Sequence, residues 1–231
     1  MVLITGGSRG IGLAVANLFA KSGYHVIITS RVQVRIDRAL AQLNGSGGTV
    51  SGVLCDVADP ASVKAAFERI EQQYDSIDVL INNAGIAHDL NPVDKLPIGT
   101  WKQVIDTNLT GTFLVTQAAL PFIKAGGTIV NNLSIAAMQP FEGMCAYNAS
   151  KFGALGFTKA LREEVRKRGI RVLALIPGAT DTDIWQQFWP EAPRKKMISP
   201  ETVAEAVLHA VSAPPDAAIE EIVIGPTAGV L

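Results

Sequence analysis

The sequence predicts a doubly wound α/β fold, with a seven-stranded, mostly parallel sheet flanked by helices on both faces. Three observations predict it. Short runs rich in Val, Ile and Leu alternate with longer stretches of helical spacing along all 231 residues. Runs such as IRVLALI at 170–176 are apolar on both faces, as strands are when helices cover both sides of a parallel sheet. The first run also leads through a glycine-rich turn directly into the first helix, the opening of a βαβ unit.

Each element follows in order. The run at 2–5 ends in TGGSRGIG and feeds a helix over 10–22. Runs at 25–29 and 49–54 precede helices over 32–43 and 60–73; Asp59-Pro60 sets a capping side chain ahead of a proline suited to a first helical turn. The fourth run, 78–82, is followed by a loop at 86–99 and a helix over 100–124, and the fifth, 127–133, by a helix over 145–168. The sixth, 170–176, leads through a loop at 181–199 to a helix over 200–212 that opens on Ser199-Pro200, and the seventh run is 221–224. Both loops carry prolines and mixed polarity and are long enough to reach across an active-site mouth. No repeat, low-complexity tract or linker interrupts the series, so 1–231 reads as one domain.

Composition narrows the function classes. The chain is 48% hydrophobic and 18% charged with net charge -1, which lacks both the basic field that nucleic acid requires and the charge excess of a disordered chain. A soluble globular protein handling a small molecule fits. Cys55 and Cys145 form neither a CxxC pair nor a cluster with histidine, so no disulfide framework or metal site is expected, and a reducing cytoplasm is the default. MVLITGG runs straight into a strand with no leader pattern, and no apolar run reaches the roughly 18 residues of a membrane span, so no membrane partner is expected. His88 and His209 show no partner spacing and are assigned no chemistry.

In TGGSRGIG, Gly6, Gly10 and Gly12 permit positive φ and let a diphosphate approach the amides at a helix N-terminus. The spacing is GxxxGxG rather than the more common GxGxxG. About 20 residues past the glycines, where an NAD site usually carries an acid for the ribose 2′-hydroxyl, stands Ser30, followed by Arg31. Arg31 and Arg9 offer two guanidinium groups to a 2′-phosphate, or are solvated surface residues. The reading taken is NADP(H).

In MCAYNASKFGAL, Tyr147 and Lys151 stand at i and i+4 on one helical face. A free phenol titrates near about 10, and acid/base work near neutrality asks for a shift of roughly three units, about 4 kcal/mol. An ammonium about 4 Å away, at an effective dielectric of about 20, supplies about 4 kcal/mol. Ser134, at the C-terminal end of the fifth run, places a hydroxyl where open α/β sheets bind ligands.

TGGSRGIG, NNAG at 82–85, YNASK at 147–151 and PGATDT at 177–182, in this order along nearly the whole chain, resemble the short-chain dehydrogenases/reductases, which have a Rossmann-type fold. The resemblance implies an NADP-dependent oxidoreductase that interconverts a ketone or aldehyde with its alcohol. Ser134 polarises the carbonyl, and Tyr147 exchanges its proton. Lys151 depresses the phenol pKa and binds the nicotinamide ribose, and Asn108 supports a water chain for proton resupply. It further implies cofactor contacts from Gly6, Ser8, Arg9, Gly10, Ile11 and Gly12, from Ser30 and Arg31, from Asp56 and Val57, and from Asn83, Ala84 and Gly85. Pro177, Gly178, Thr180 and Thr182 complete the set, with Tyr147 and Lys151. Asp56 would meet the adenine amino group, Asn83 would steady the cofactor and Thr182 would hold the carboxamide.

Thr180 departs from the family's usual aliphatic residue, a change expected to loosen the cofactor lid. The ending EIVIGPTAGVL lacks the longer glycine-rich tail of many members, which weakens the expectation of tail-mediated subunit contacts. Homodimers or homotetramers through the helices at 100–124 and 145–168 are what the resemblance implies.

Trp185, Phe188 and Trp189 share one helical face after Thr182. With Met138, Phe141 and Met144 they either wall an apolar substrate pocket or pack on the body of the protein or on another subunit. Cys145 reads as a small buried hydrophobe. A 3-oxoacyl-(acyl-carrier-protein) reductase-like activity is the alternative, although no basic cluster marks a carrier docking site. A non-catalytic NADP(H) sensor is a further one.

Overall fold

The computed structural model describes residues 1–229; Val230 and Leu231, the last two residues of EIVIGPTAGVL, lie outside the described residues. Seven strands form one sheet in the order β3-β2-β1-β4-β5-β6-β7, and every neighbouring pair is parallel. They are β1 Val2–Ile4, β2 Val26–Ser30, β3 Val50–Leu54, β4 Ile77–Asn82, β5 Ile123–Asn132, β6 Arg171–Pro177 and β7 Glu221–Ile224. The helices are α1 Gly10–Lys21, α2 Gln33–Leu43, α3 Pro60–Glu71, α4 Ile98–Ile105, α5 Gly111–Ala119, α6 Cys145–Val165, α7 Trp185–Phe188 and α8 Pro200–Val211. None of the helices is long and apolar enough to cross a membrane among the described residues.

The strands are apolar on both faces because two cores share them. Val2, Ile4, Val26 and Ile28 point to one side, where Val15 and Phe19 of α1 and Val203 and Val207 of α8 pack. Leu3, Ile27, Leu80 and Ile129 point to the other, against Phe67 of α3, Val115 of α5 and Leu161 of α6. The period of two in a strand divides alternate residues between these layers, and each such side chain contributes about 1.5–3 kcal/mol on burial. Asp59 and Ser199 cap α3 and α8, accepting from the Ala61 and Thr202 amides at 3.0 and 3.1 Å, with proline in each first turn.

The expected helix over 100–124 is instead broken. α4 and α5 are separated by a π-turn at Asp106–Thr110, and a 3-10 turn at Leu120–Phe122 ends the helical stretch. β5 then begins at Ile123, earlier than the run at 127–133 suggests. Ile123 pairs with Ile77 before a register shift, and Gly126, at φ +88°, lets the bulged segment stay beside β4. The loop after β6 contains α7 and a 3-10 turn at Arg194–Lys196.

A parallel sheet sends every strand's C-terminal end to the same edge. The strand order reverses between β1 and β4, and a crevice at such a switch point is where ligands bind in open α/β sheets.

Candidate active site

A cleft of about 630 Å³ opens along that edge. The turn after β1 forms its floor. Gly6 and Gly10 adopt φ of +63° and +54°, and a Cβ at Gly6 would lie 2.9 Å from the Ala84 Cα. Arg9 precedes α1 without a side-chain cap, and the first intrahelical bond there is Leu13 N–H to the Arg9 carbonyl. The amides of the first turn are therefore left for a ligand, and Ser8, Arg9, Gly10 and Ile11 line the cleft. This arrangement fits a diphosphate. Gly12 lies behind the turn, where a Cβ would come 2.4 Å from Asn83 Nδ2; its role is to let α1 press against the turn.

Asn83 ties this floor to its neighbours. Its Nδ2 donates to the Thr5 and Gly6 carbonyls at 3.0 and 3.1 Å, and its Oδ1 accepts from Asn132 Nδ2 at 2.8 Å. Ala84 and Gly85 continue the wall. At one end stand Ser30, Arg31, Asp56 and Val57. Asp56 Oδ1 accepts from the Ala58 amide at 3.0 Å, as a turn-starting carboxylate does. Arg35 joins Arg9 and Arg31 there, and all three are exposed. Its spacing of four from Arg31, at the start of a helix, was a legible signal.

Ser134, Tyr147 and Lys151 meet at the other end. Ser134 caps the 3-10 turn after β5 by accepting from the Ala136 amide at 3.1 Å. Tyr147 is half-buried in the first turn of α6; burial pushes its phenol above the ordinary value, and the Ser134 side chain, hydrogen bonding to it, pulls the other way. Lys151 Nζ donates to the Asn132 carbonyl at 3.0 Å and sits 5.6 Å from the Tyr147 ring centroid, and burial lowers its pKa to about 8. In the bare protein desolvation of the phenol outweighs the depression expected from the ammonium. Desolvation acts on both groups.

Asn108 lies outside the cleft, within the π-turn. Its Oδ1 accepts from the Ile86 amide at 2.9 Å, and its Nδ2 donates to the Ile86 carbonyl at 2.9 Å and to Ser150 Oγ at 3.0 Å. Both Nδ2 protons are used and Oδ1 takes one bond, which leaves one Oδ1 lone pair for a water. His88, given no chemistry from sequence, is 1% exposed with Nε2 at 3.4 Å from the Tyr147 amide. No spacing rule marks it, because its partner is a backbone group.

The lid is tighter than its sequence suggests. Thr180 is buried and donates to the Gly178 carbonyl at 3.0 Å, and a parallel bridge joins it to Ile198. Its hydroxyl is satisfied, which removes the expected loosening. Pro177, Gly178 and Thr182 line the cleft. Thr182 leans over the glycine turn, 3.2 Å from where a Gly10 Cβ would stand. The Trp185 ring lies tilted at 5.0 Å from Phe188 and edge-on at 6.0 Å from Trp189, and its Nε1 donates to the Thr180 carbonyl at 2.8 Å. All three aromatics, with Phe141 and Met144, face the cleft. Met138 does not: it follows the 3-10 turn, is half exposed and lies off the cleft lining, which corrects its placement in the pocket.

A family model for short chain dehydrogenases matches residues 1–193. A D-threitol dehydrogenase from Mycolicibacterium smegmatis is 36% identical over 224 residues, 92% of this chain and 85% of its own length. A 3-oxoacyl-(acyl-carrier-protein) reductase from Aquifex aeolicus is 38% identical over 221 residues, 91% of this chain and 89% of its own. The X-ray structure of an alcohol dehydrogenase from the archaeon Thermococcus sibiricus, complexed with 5-hydroxy-NADP, has a TM-score of 0.91 at 26% identity, over 99% of this chain and 97% of that one. The likeness runs from the first strand past the lid, and on it the chain belongs to the short chain dehydrogenase family of oxidoreductases.

Proposed function

We propose that this oxidoreductase reduces an apolar ketone or aldehyde to the alcohol with NADPH, and runs in reverse. The observation that carries the reading is the meeting of Ser134, Tyr147 and Lys151 at one end of a cleft whose other end holds Arg9, Arg31 and Arg35. Ser30 stands where an acid would select NAD, and three guanidinium groups suit a 2′-phosphate. The Thermococcus sibiricus relative, bound to an NADP derivative, supports the same choice.

NADPH, when bound, supplies the hydride. The chain's own groups handle the oxygen. The Ser134 hydroxyl donates to the substrate carbonyl and orients it beside the phenol, and Tyr147 gives its proton to that oxygen. The phenol, raised by burial above its ordinary value, carries its proton at neutral pH, as a donor in the reducing direction must. The Lys151 ammonium stabilises the phenolate left behind and has donors beyond the Asn132 carbonyl for a ribose hydroxyl. Phe141, Met144 and the aromatics of α7 exclude water from the transfer.

Tyr147→Phe should lower kcat by about 10²-fold or more while NADPH binding changes little. Measuring NADPH oxidation with a panel of ketones, aldehydes and an acyl thioester, and repeating it with NADH, tests the substrate and the cofactor together. Undiminished turnover by Tyr147→Phe, or equal rates with NADH, rejects the corresponding assignment. A second reading, a 3-oxoacyl thioester reductase, is favoured by the Aquifex aeolicus relative and by exposed Lys195 and Lys196 on the lid's 3-10 turn. Against it, the charged groups that the lid and the loop before α6 bring to the cleft lining, among the described residues, are the carboxylates Glu142 and Asp183.

A further inference from the structure

We propose that His88 is a positioning residue for this reaction: its imidazole caps, from outside, the helix that carries Tyr147. The proposal rests on Tyr147 as the proton donor.

A helix leaves its first amides without intrahelical partners, and a Ser, Thr, Asp or Asn side chain at the N-cap usually takes one of them. α6 has no such cap. Its N-cap is Met144, which makes no side-chain bond, and the first amide to find a carbonyl within the turn is that of Asn148, which donates to Met144 at 2.8 Å. The Tyr147 amide is the one a normal cap would have bound. It points instead at His88 Nε2, 3.4 Å away.

The imidazole is set to accept. Nδ1 lies 2.7 Å from the Asp89 carbonyl, so the ring proton resides on Nδ1 and leaves the Nε2 lone pair for the tyrosine amide. The loop that carries the ring is fixed on both sides. Ile86 is bonded through both of its backbone groups to the Asn108 carboxamide, and the Asn91 amide donates to the Gly143 carbonyl at 3.0 Å.

Asn108 also governs the other end of the same residue. Its Nδ2 donates to Ser150 Oγ, and that hydroxyl donates to the Tyr147 carbonyl at 2.7 Å. Tyr147 is thereby held at its N–H by His88 and at its C=O by Ser150, with Asn108 bonded to Ser150 and to Ile86, two residues before His88. Lys151 sits one turn deeper, bonded to the Asn132 carbonyl. Without the His88 cap the first turn is free to fray, and the phenol shifts relative to Ser134 and Lys151 while the dinucleotide floor stays intact.

The test compares His88→Leu, His88→Asn and His88→Gln in the full chain, reading kcat and KM for the best carbonyl substrate, NADPH Kd by fluorescence, and melting temperature. The Leu and Asn variants should lose about 10²-fold in kcat, with NADPH Kd changed by no more than about threefold, because a misplacement near 1 Å carries a penalty of that size. The Gln variant, whose side-chain oxygen reaches the Nε2 position, should recover most of the rate. A Leu variant within about twofold of the parent kcat, or a Gln variant no faster than Asn at matched stability, overturns the proposal. If His88→Leu does not fold, the Gln and Asn pair decides alone. Tyr147→Phe run in parallel separates the failures: an active Tyr147→Phe removes the functional reading, whereas an inactive one beside normal His88 variants removes only the cap.

Discussion

Lys151 holds a charge that the fold disfavours. It is 6% exposed, and its pKa is lowered to about 8 from an ordinary value of 10.5. Between those two values the unfolded chain binds more protons than the native one, so stability rises with pH through that window and the penalty is fully present below it. From pH 7 to pH 10 the gain from this group is about 2 kcal/mol. Lys151→Met removes the penalty along with the rate. Denaturant unfolding should therefore show the variant's stability advantage over the parent to be about 2 kcal/mol smaller at pH 10 than at pH 7. A difference that does not change with pH would mean that the ammonium is not desolvated. The pairing of Tyr147 with Lys151 was legible because helical spacing is local. The balance of desolvation against attraction was not, because it depends on how deeply α6 is set, which no spacing reports.

At the scale of elements, the lid is a long loop closed at its base. Thr180 bridges Ile198, and Arg194 Nη1 bonds Asp181 Oδ1 at 2.7 Å and also the Thr182 carbonyl. Asp181 is half exposed, so the ion pair adds about 0–1 kcal/mol to global stability. Its work is local, in holding Thr182 and the α7 aromatics over the cleft. Arg194→Ala should leave the melting temperature nearly unchanged, yet raise the KM of the carbonyl substrate by roughly threefold to tenfold and speed proteolysis within 185–197. Unchanged KM together with unchanged proteolysis would show that the bridge and the Trp185 bond hold the lid without it. Local chemistry revealed the ends of α3 and α8, since Asp59-Pro60 and Ser199-Pro200 cap and start a helix by themselves. It did not reveal the break between α4 and α5. The π-turn there is held by bonds from Asn108 to Ile86 and Ser150, both remote in sequence, and helical periodicity is blind to them.

Across the whole molecule, the two-faced strands announced a covered parallel sheet, and the helices that cover it leave their outer faces to be explained. Most are polar, but α5 and the N-terminal half of α6 also expose large aromatics. Phe113 is 43% exposed and Phe152 45%, Phe113 stands edge-on to Phe157 at 6.1 Å, and a Cβ at Gly156 would meet nothing. Trp101 on the adjoining α4 is 37% exposed. Large apolar groups gathered on neighbouring helices mark an association surface more often than a solvated one. We propose that a second copy of the chain covers them, as the family resemblance leads one to expect. Sedimentation at micromolar concentration should then find a dimer or tetramer, and Phe113→Arg combined with Phe152→Arg should yield a folded monomer by placing like charges across a two-fold contact. His88 and Asn108 also bond to α6, at the Tyr147 amide and the Ser150 hydroxyl, so the monomeric variant gives a second reading. Its kcat should fall only if subunit contact helps to hold the first turn of that helix. A parent protein that sediments as a monomer at these concentrations would leave the aromatic face without a partner and overturn the assembly.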